Sequence, residues 1–275
     1  MNEDYRYLDL DGERIFAGLH LPQAGPAGRG VVMCHPLGEE KLWSHRVFVS
    51  FARDLAAAGF AVMRFDCRGE GDSDREFEQS DLESRVQDAS RAVDALRELQ
   101  PSVSDVTLLG LRLGASVAAA TAARRADIAR LLLWDPVADG DAYMQSFLRL
   151  NLMYQMSIHR RVVENRDALV ARLGNGETVN IEGYELADPL FRQVSAFRLR
   201  DTLAAFTGET VIVQINQGDA PPKPDLMELC EGNPRCRLES AQEEPFWKEI
   251  KTLYQRAPDL TQVSLAALGV TAAGA

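Results

Sequence analysis

The sequence predicts an α/β fold in which a mostly parallel, doubly wound sheet carries helices on both faces. Short apolar runs alternate with amphipathic stretches along residues 30–134, and this pattern is typical of parallel strands joined by crossover helices. The alternation stops over residues 138–208 and resumes with the apolar run at 211–215. The middle block therefore predicts a helical cap inserted between two strands of the core.

Local patterns predict the individual elements. Two alternating stretches joined by the turn pair Asp11-Gly12 predict an N-terminal β-hairpin. Ser44 and Asp81 are the predicted N-caps of two helices. The further predicted strands are 30–34, 60–65, 106–109, 128–134, 211–215 and 237–239, and the predicted helices are 44–58, 81–99, 113–125 and 245–255.

These patterns divide the chain into three parts. We expect the core at residues 1–137 and 209–256, the helical cap at 138–208 and a C-terminal tail at 257–275. The tail is rich in alanine, and we expect its end to be mobile. The cap carries a large apolar face, which either forms the core of the cap or lines a substrate cavity beneath it.

The composition is that of a globular chain and argues against several kinds of partner. The 275 residues are 46% hydrophobic and 26% charged, with a formal net charge of −11. Nucleic-acid binding needs clustered basic residues, so we expect no nucleic-acid partner. Apolar runs are much shorter than a membrane span, and the first residues lack the basic segment of a signal peptide. We expect a cytoplasmic protein without a membrane span, and a homodimer stays open.

The four cysteines and four histidines form no metal-binding pattern. The cysteines contain no C-x-x-C pair, so we expect reduced thiols, with a bridge between Cys230 and Cys236 as the less favoured alternative. The histidines lack the spacing of zinc ligands. We therefore expect no metal and no cofactor.

The pattern with the clearest chemical meaning is Gly110-Leu111-Arg112-Leu113-Gly114, directly after the apolar run at 106–109. Gly-x-Ser-x-Gly at such a position forms a nucleophile elbow, a sharp strand-to-helix turn that presents a serine above the sheet. Here arginine holds the central position. Its guanidinium stays protonated and has no lone pair with which to attack a carbonyl. The sequence predicts the frame of a hydrolase without its nucleophile.

Seven short segments between residues 30 and 205 form a more specific pattern. They are Gly38-Glu39-Glu40 to Ser44-His45-Arg46, Ala56-Ala57-Ala58-Gly59-Phe60, Gly69-Glu70-Gly71-Asp72-Ser73, Gly110-Leu111-Arg112-Leu113-Gly114-Ala115, Leu133-Trp134-Asp135-Pro136-Val137, Phe147-Leu148-Arg149-Leu150, and Gly176-Glu177 with Glu182-Gly183-Tyr184. In this order and spacing they resemble the α/β-hydrolases associated with exosortase A systems, chiefly the second type, and the arginine-centred elbow resembles a feature of that type. Residues 44–48 and 64–66 also resemble the first type, which carries cysteine at the elbow. The resemblance implies an α/β-hydrolase fold and a link to bacterial exopolysaccharide or exosortase gene neighbourhoods, without a known substrate.

A working hydrolase site also needs an orienting acid, a base and oxyanion donors. Asp219 lies where the acid is expected, although the same residue suits an ordinary turn. No histidine follows His159 in the sequence, so the base is missing, and Glu243 or Glu244 stands in its place. A carboxylate can accept protons, but the favoured interpretation is that these two residues cap the helix predicted from Pro245.

Other candidate residues surround the elbow. His35 follows the strand at 30–34, where this fold forms its oxyanion loop, and it either takes part in the chemistry or hydrogen-bonds the loop to itself. Cys67 is an alternative nucleophile that lacks an obvious base, whereas Cys34 is expected to be a small buried residue. The candidate ligand-binding residues are Glu39, Glu40, His45, Leu111, Leu113 and Glu243.

Arg112 itself has two interpretations. A buried arginine must be paired, and the pairing would then fill a site that has lost its activity. The alternative is an anion site, because Arg112 stands at the N-terminus of a predicted helix, where the dipole and free N–H groups favour negative charge. The candidate partners for the pair are Asp135, Glu39, Glu40 and Asp219.

The favoured function is a pocket around Arg112 that binds an acyl or anionic small molecule, with or without non-nucleophilic catalysis. His35 and Asp219 or Asp135 would then orient the ligand or transfer protons. One alternative is a hydrolase or acyl transferase that uses water or Cys67 in place of serine. A second alternative is a non-catalytic scaffold.

Overall fold

The computed structural model of the protein describes residues 2–25, 28–218, 220–250 and 254–270. The strands are β1 (Asn2–Leu10), β2 (Glu13–Leu21), β3 (Arg29–Cys34), β4 (Ala61–Phe65), β5 (Asp105–Leu111), β6 (Arg130–Trp134), β7 (Val179–Ile181), β8 (Tyr184–Leu186), β9 (Glu209–Asn216) and β10 (Cys236–Gln242). The helices are α1 (Glu39–Ala57), α2 (Leu82–Leu99), α3 (Leu113–Ala123), α4 (Gly140–His159), α5 (Arg166–Gly174), α6 (Asp188–Ala196), α7 (Leu199–Ala205), α8 (Pro224–Cys230) and α9 (Pro258–Ala267).

Eight strands form the central sheet, in the order β1-β2-β4-β3-β5-β6-β9-β10. From β4 to β10 the neighbouring strands are parallel, whereas β1 pairs antiparallel with β2 and β2 with β4. The middle strands are apolar without alternation because helices cover both faces, and Leu108, Leu109 and Leu111 of β5 are all fully buried. The predicted α/β fold and the N-terminal hairpin are confirmed.

The two faces of the sheet carry different helices. On one face α1 and α9 pack together, and on the other α2 packs beside α3. Trp134 of β6 joins the first layer to the sheet, since its ring contacts Phe48 and Phe51 of α1 and its Nε1 donates to Ser264 Oγ of α9 at 2.9 Å. The C-terminal helix is therefore part of the packed core.

The position of α9 corrects two predictions. Residues 245–250 do not form the predicted helix, and the helix lies instead at residues 258–267, within the expected tail. The cause is Pro258, which is favourable at the first helical position, together with apolar side chains that reach the core. Glu243 accepts a hydrogen bond at 2.9 Å from the backbone N–H of Asp259, so it caps this helix and not the predicted one.

The N-cap prediction at Ser44 is also wrong. Helix α1 begins five residues earlier at Glu39, after Gly38, whose φ of 57° favours glycine. Glu39 and Glu40 then occupy the first turn, where the helix dipole favours carboxylates. Ser44 lies within the helix and donates to the carbonyl oxygen of Glu40 at 2.7 Å.

The chain between β6 and β9 forms an insertion of four helices and one hairpin. The hairpin of β7 and β8, in which Ile181 pairs with Tyr184, was missed because its strands are only three residues long. Tyr184 packs against Phe77 at 5.0 Å between ring centroids. The insertion thus lies against loops at the carboxyl ends of the strands. Its status as a separate cap stays a prediction.

The cysteines differ from the main expectation. A disulfide joins Cys230 at the end of α8 to Cys236 at the start of β10, with 4.9 Å between their Cα atoms. Cys34 and Cys67 are free and buried. The expectation of four reduced thiols is wrong, because the turn between α8 and β10 brings one pair within bridging range. None of the helices in the described ranges is long and apolar enough to cross a membrane.

His20 is fully buried between Glu3 and Arg64. Arg64 Nε donates to His20 Nε2 at 3.0 Å, so the neutral ring carries its proton on Nδ1, which lies 3.3 Å from a carboxylate oxygen of Glu3. Burial is the main cause that lowers the pKa of His20 from 6.5 to about 4. The hydrogen bond from Arg53 lowers the pKa of Glu3 to about 2, so Glu3 stays ionised across that interval.

This histidine makes the fold sensitive to acid. As the pH falls, the unfolded chain takes up the proton before the folded chain, so the contribution of His20 is fully present above pH 6.5 and is lost towards pH 4. We expect a loss of about 3 kcal/mol in the free energy of unfolding over that interval. Urea unfolding of His20→Gln should lack this component, whereas exposed His159→Gln should keep it. Equal losses in wild type and His20→Gln would contradict the assignment.

Candidate functional site

Arg112 alone connects strand β5 to helix α3. The strand ends at Leu111 and the helix begins at Leu113. The backbone of Arg112 has φ 53° and ψ −121°, a conformation that non-glycine residues rarely adopt. A Cβ at Gly110 would clash with the carbonyl of Gly114, so the turn needs a glycine there. These features give the predicted elbow, with Arg112 at the carboxyl edge of the sheet.

Two carboxylates hold the Arg112 guanidinium. Nη1 donates to the Oδ2 atom and the backbone oxygen of Asp135, each at 3.1 Å. Nε donates to Glu40 Oε1 at 3.4 Å. Asp135 ends β6 and Glu40 lies in the first turn of α1, so one side chain connects three elements. Of the four candidate partners, the structure pairs these two with Arg112.

Aromatic rings complete the surroundings of the guanidinium. The rings of Tyr143 and Trp247 lie 5.7 Å and 5.6 Å from Arg112 Cζ, within range of cation–π attraction. The Tyr143 hydroxyl also donates to Glu40 Oε2 at 3.0 Å. Helix α4 and the segment after β10 therefore both contribute to the site.

The Arg112 side chain is 21% exposed, and one of its nitrogens has no partner among the described residues. Nη2 makes no hydrogen bond to any residue in the described part of the chain. A guanidinium carries five N–H donors, of which two belong to Nη2. The arrangement fixes one side of the group and leaves two donors for a further acceptor.

Charges in the site nearly balance. Lys223 Nζ lies 2.6 Å from Asp135 Oδ1, and the charge of Lys248 also acts on Glu40, so among the described residues three cations surround two carboxylates. Burial alone would lower the pKa of Arg112. The negative charges of Glu40 and Asp135 have the larger effect, so the pKa is raised. Burial raises the pKa of Glu40 despite the opposing effects of Arg112 and Tyr143. Glu40 is thus the carboxyl group in the site that takes up a proton more readily than usual.

His35 and His45 lie apart from this cluster. Both line a cavity of about 520 Å³ together with Lys41 and Arg64, and Arg112 is not among its lining residues. His35 stacks on Phe48 at 4.4 Å between ring centroids, and burial followed by the charge of Lys41 holds its pKa well below the usual value. The predicted site residues therefore fall into two places.

The remaining candidates have the following positions. Leu111 and Leu113 are buried beside the elbow, and Glu39 is half-buried in the first turn of α1. Burial raises the pKa of the Cys67 thiol well above its usual value, so it is not a thiolate. Asp219 lies outside the described residues. A ligand contact at Leu111, Leu113, Glu39 or Glu243 stays a prediction.

Tyr143, Trp247 and Lys223 were not among the candidates. Tyr143 precedes the apolar face recognised in the insertion and gives no separate signal of a polar role. Lys223 stands between two prolines, 88 positions from Asp135, and a sequence offers no way to connect them. Among the described residues, no cluster of three or more His, Cys, Asp or Glu could hold a metal ion.

The ion pairs of Arg112 should contribute to stability. Arg112→Met leaves Glu40 unpaired and Asp135 with only Lys223, and we expect a loss of about 2–4 kcal/mol in the free energy of unfolding. Arg125→Met is the matched control. Arg125 also pairs with two aspartates and is 16% exposed, but those aspartates are 48% and 38% exposed.

Solvated carboxylates tolerate the loss of a partner, so Arg125→Met should cost about 1 kcal/mol or less. Urea unfolding at neutral pH measures both variants. Equal losses of unfolding free energy in Arg112→Met and Arg125→Met would show that the ion pairs of Arg112 stabilise the fold no more than a surface ion pair does.

Comparisons with known proteins agree with this architecture. The structure is similar to Est1E from Butyrivibrio proteoclasticus with ferulic acid bound, at 18% identity and TM-score 0.70 over 96% of this chain and 97% of that chain. It is also similar to proline iminopeptidase from Mycobacterium smegmatis, at 14% identity and TM-score 0.63 over 97% and 98%. At these identities the likeness shows the fold alone.

A search of the curated proteins finds no match. Residues 26–194, more than half of the chain, match the family model described as serine aminopeptidase, S33. That family and the similar structures are α/β-hydrolases. The chain therefore belongs to the serine aminopeptidase S33 family, within the α/β-hydrolase superfamily.

Proposed function

We propose that this protein is a member of its family that does not hydrolyse through a nucleophile and that binds an acyl or anionic small molecule at Arg112. It acts either as a binding protein or by catalysis that needs only electrostatic stabilisation and proton transfer. One observation carries the proposal. The elbow side chain is an arginine whose Nε and Nη1 are anchored while Nη2 has no partner among the described residues.

The site lacks the parts of a covalent mechanism. Arg112 has no lone pair for attack, and the described residues that contact its guanidinium are carboxylates and aromatic rings. Cys67 is buried and protonated, and only a thiolate is a competent nucleophile. The geometry thus gives the alternative with Cys67 no support.

The open donors suit an oxygen that carries negative charge. Arg112 is the N-cap residue of α3, where the helix dipole also favours an anion. A bound monoanion would add negative charge beside Glu40 and Asp135. Protonation of Glu40 would offset that charge, and burial raises its pKa in the required direction. Binding of a monoanion is therefore coupled to proton uptake at Glu40.

A similar structure suggests the first ligand to test. Est1E is described with ferulic acid bound, and an aryl carboxylate is therefore a suitable first probe.

The resemblance of the sequence motifs to exosortase-associated hydrolases supports a place in bacterial exopolysaccharide systems, and this part of the proposal rests on the motifs.

The binding experiment compares anions with a neutral analogue. Isothermal titration calorimetry with ferulate, butyrate and inorganic phosphate, and with neutral butyramide, should show saturable binding of at least one anion and none of the amide. Lysine cannot reproduce the guanidinium fork, so Arg112→Lys should weaken that anion by about 10- to 150-fold. Arg125→Lys, at a similarly paired arginine, should bind as the wild type does.

One outcome of these titrations would contradict the proposed anion site at Arg112. If no anion binds the wild type and Arg112→Lys changes only the melting temperature, Arg112 is a structural ion pair. A scaffold function would then replace the proposal.

The pH dependence of binding tests the role of Glu40. Affinity for a carboxylate should rise as the pH falls from about 8 to about 5, because the protonated form of Glu40 accommodates the added charge. Glu40→Gln keeps the oxygen that accepts from Tyr143, and it should bind tightly throughout with a flat profile. A wild-type profile that is equally flat would exclude the coupling.

Fluorophosphonate probes test the absence of covalent chemistry. We expect no labelling of the wild type, and Arg112→Ser should restore little, because hydrolase groups act as a unit and the histidine base is missing. Mass spectrometry after probe treatment measures both proteins. Stoichiometric labelling at any serine of the wild type would overturn the proposal.

A further inference from the structure

A cavity beside helix α1 lies outside the elbow site. Its volume is about 520 Å³, and it lies between α1 and strands β2 and β4. Gly38 at the start of α1 and Tyr184 of the hairpin β7-β8 line the end nearest the elbow loops. Tyr5 and Arg53 line the other end.

A buried arginine lines this cavity without an anionic partner. Arg64 is only 8% exposed. Its Nε donates to the neutral ring of His20, and no carboxylate of the described residues lies within 4 Å of its guanidinium. A buried guanidinium in a folded protein is ordinarily paired with an anion. Burial lowers the pKa of Arg64, although Tyr5 and the more distant charges of Asp66 and Glu3 oppose that shift.

The other charges at the cavity are already paired or exposed. Lys41 contacts Asp66 at 2.7 Å, and Arg85 contacts Glu70 at 3.1 Å. Arg53 is bound to Glu3. Arg46 and Asp72 are exposed at the rim and balance each other. The excess positive charge therefore belongs to Arg64, inside a chain of net charge −11.

Apolar side chains form most of the remaining wall. Gly18 gives the ring of Tyr5 room to approach, because a Cβ there would lie 3.0 Å from that ring and 3.4 Å from Arg64 Nη2. The ring of Tyr5 thus lies close to the guanidinium. The apolar lining comprises Tyr5, Phe16, Leu42, Val49, Phe65 and Tyr184.

We infer that this cavity is a second ligand site, separate from Arg112, for a small organic carboxylate. The carboxylate group pairs with Arg64, and an aryl or alkyl body lies along Tyr5, Phe16 and Val49. The carboxylates of Asp66, Glu70 and Asp72 line the same cavity and repel a dianion, so a monoanion fits better than a phosphate ester. The planar guanidinium fork matches a carboxylate in geometry as well as charge.

The test uses 4-phenylbutyrate, its neutral amide and phenyl phosphate in calorimetric titrations of the full chain. Arg112→Lys serves as the background, so that any binding at the elbow is weakened by about 10- to 150-fold. We expect binding of one 4-phenylbutyrate per chain, weaker binding of phenyl phosphate and none of the amide. Arg64→Gln in the same background should weaken 4-phenylbutyrate by about 10- to 150-fold.

A second pair of variants covers the case in which Arg64→Gln does not fold. Leu42 lines the cavity and is 62% exposed, so its substitution should not disturb the core. Leu42→Glu should weaken 4-phenylbutyrate by about 2- to 5-fold relative to Leu42→Gln, because it places a like charge at the mouth. Raised salt should reduce that difference.

Three results would overturn the inference: no saturable binding of 4-phenylbutyrate in the Arg112→Lys background, equal binding of the amide, or equal affinity of folded Arg64→Gln. A finding that no anion binds at Arg112 would not affect the Arg64 site, so either proposal can fail without the other.

Discussion

The arrangement of the site depends on the ion pairs that hold Arg112 in a strained strand-to-helix turn. The guanidinium joins the end of β5 to Asp135 on β6 and to Glu40 on α1. A left-handed backbone at a non-glycine residue costs free energy, and surrounding contacts must sustain it. The paired side chain provides those contacts, and it also recruits Tyr143 from α4 and Trp247 from the C-terminal segment.

The same contacts decide what chemistry the site retains. In a serine hydrolase the elbow presents a nucleophile, whereas here it presents a donor group that two carboxylates orient. Anchoring Nε and Nη1 reduces the conformational freedom of the guanidinium. A ligand that binds Nη2 therefore loses less conformational entropy from this side chain. Glu40 is buried and its pKa is raised, so it can take up a proton when an anionic ligand binds. These features support the proposed recognition of an anion by electrostatic interactions.

Much of this arrangement could be predicted from the sequence. Strand-helix alternation and the glycines at 110 and 114 identify the fold and the elbow, because they reflect local backbone requirements. Asp135 and Glu40 could be listed as partners of Arg112, since the carboxyl ends of parallel strands and the loop before α1 meet at one edge. Lys223 and Tyr143 could not, because their contacts depend on how distant segments pack. The Cys230–Cys236 disulfide and helix α9 were misjudged because packing decides them, whereas the start of α1 was missed although Gly38 and the carboxylates of Glu39 and Glu40 are local signals for it.

The proposed function requires an Arg112 guanidinium that is anchored and still open to an anion. Nitrogen-15 NMR of the arginine side chains tests this requirement most directly, with the Arg112 signals assigned by their loss in Arg112→Lys. We expect Arg112 Nε–H to be protected and sharp without ligand, and the Nη2 signal to shift on addition of ferulate or butyrate while the Nε signal stays in place. An Arg112 spectrum that does not change with any carboxylate or phosphate would contradict the proposed function.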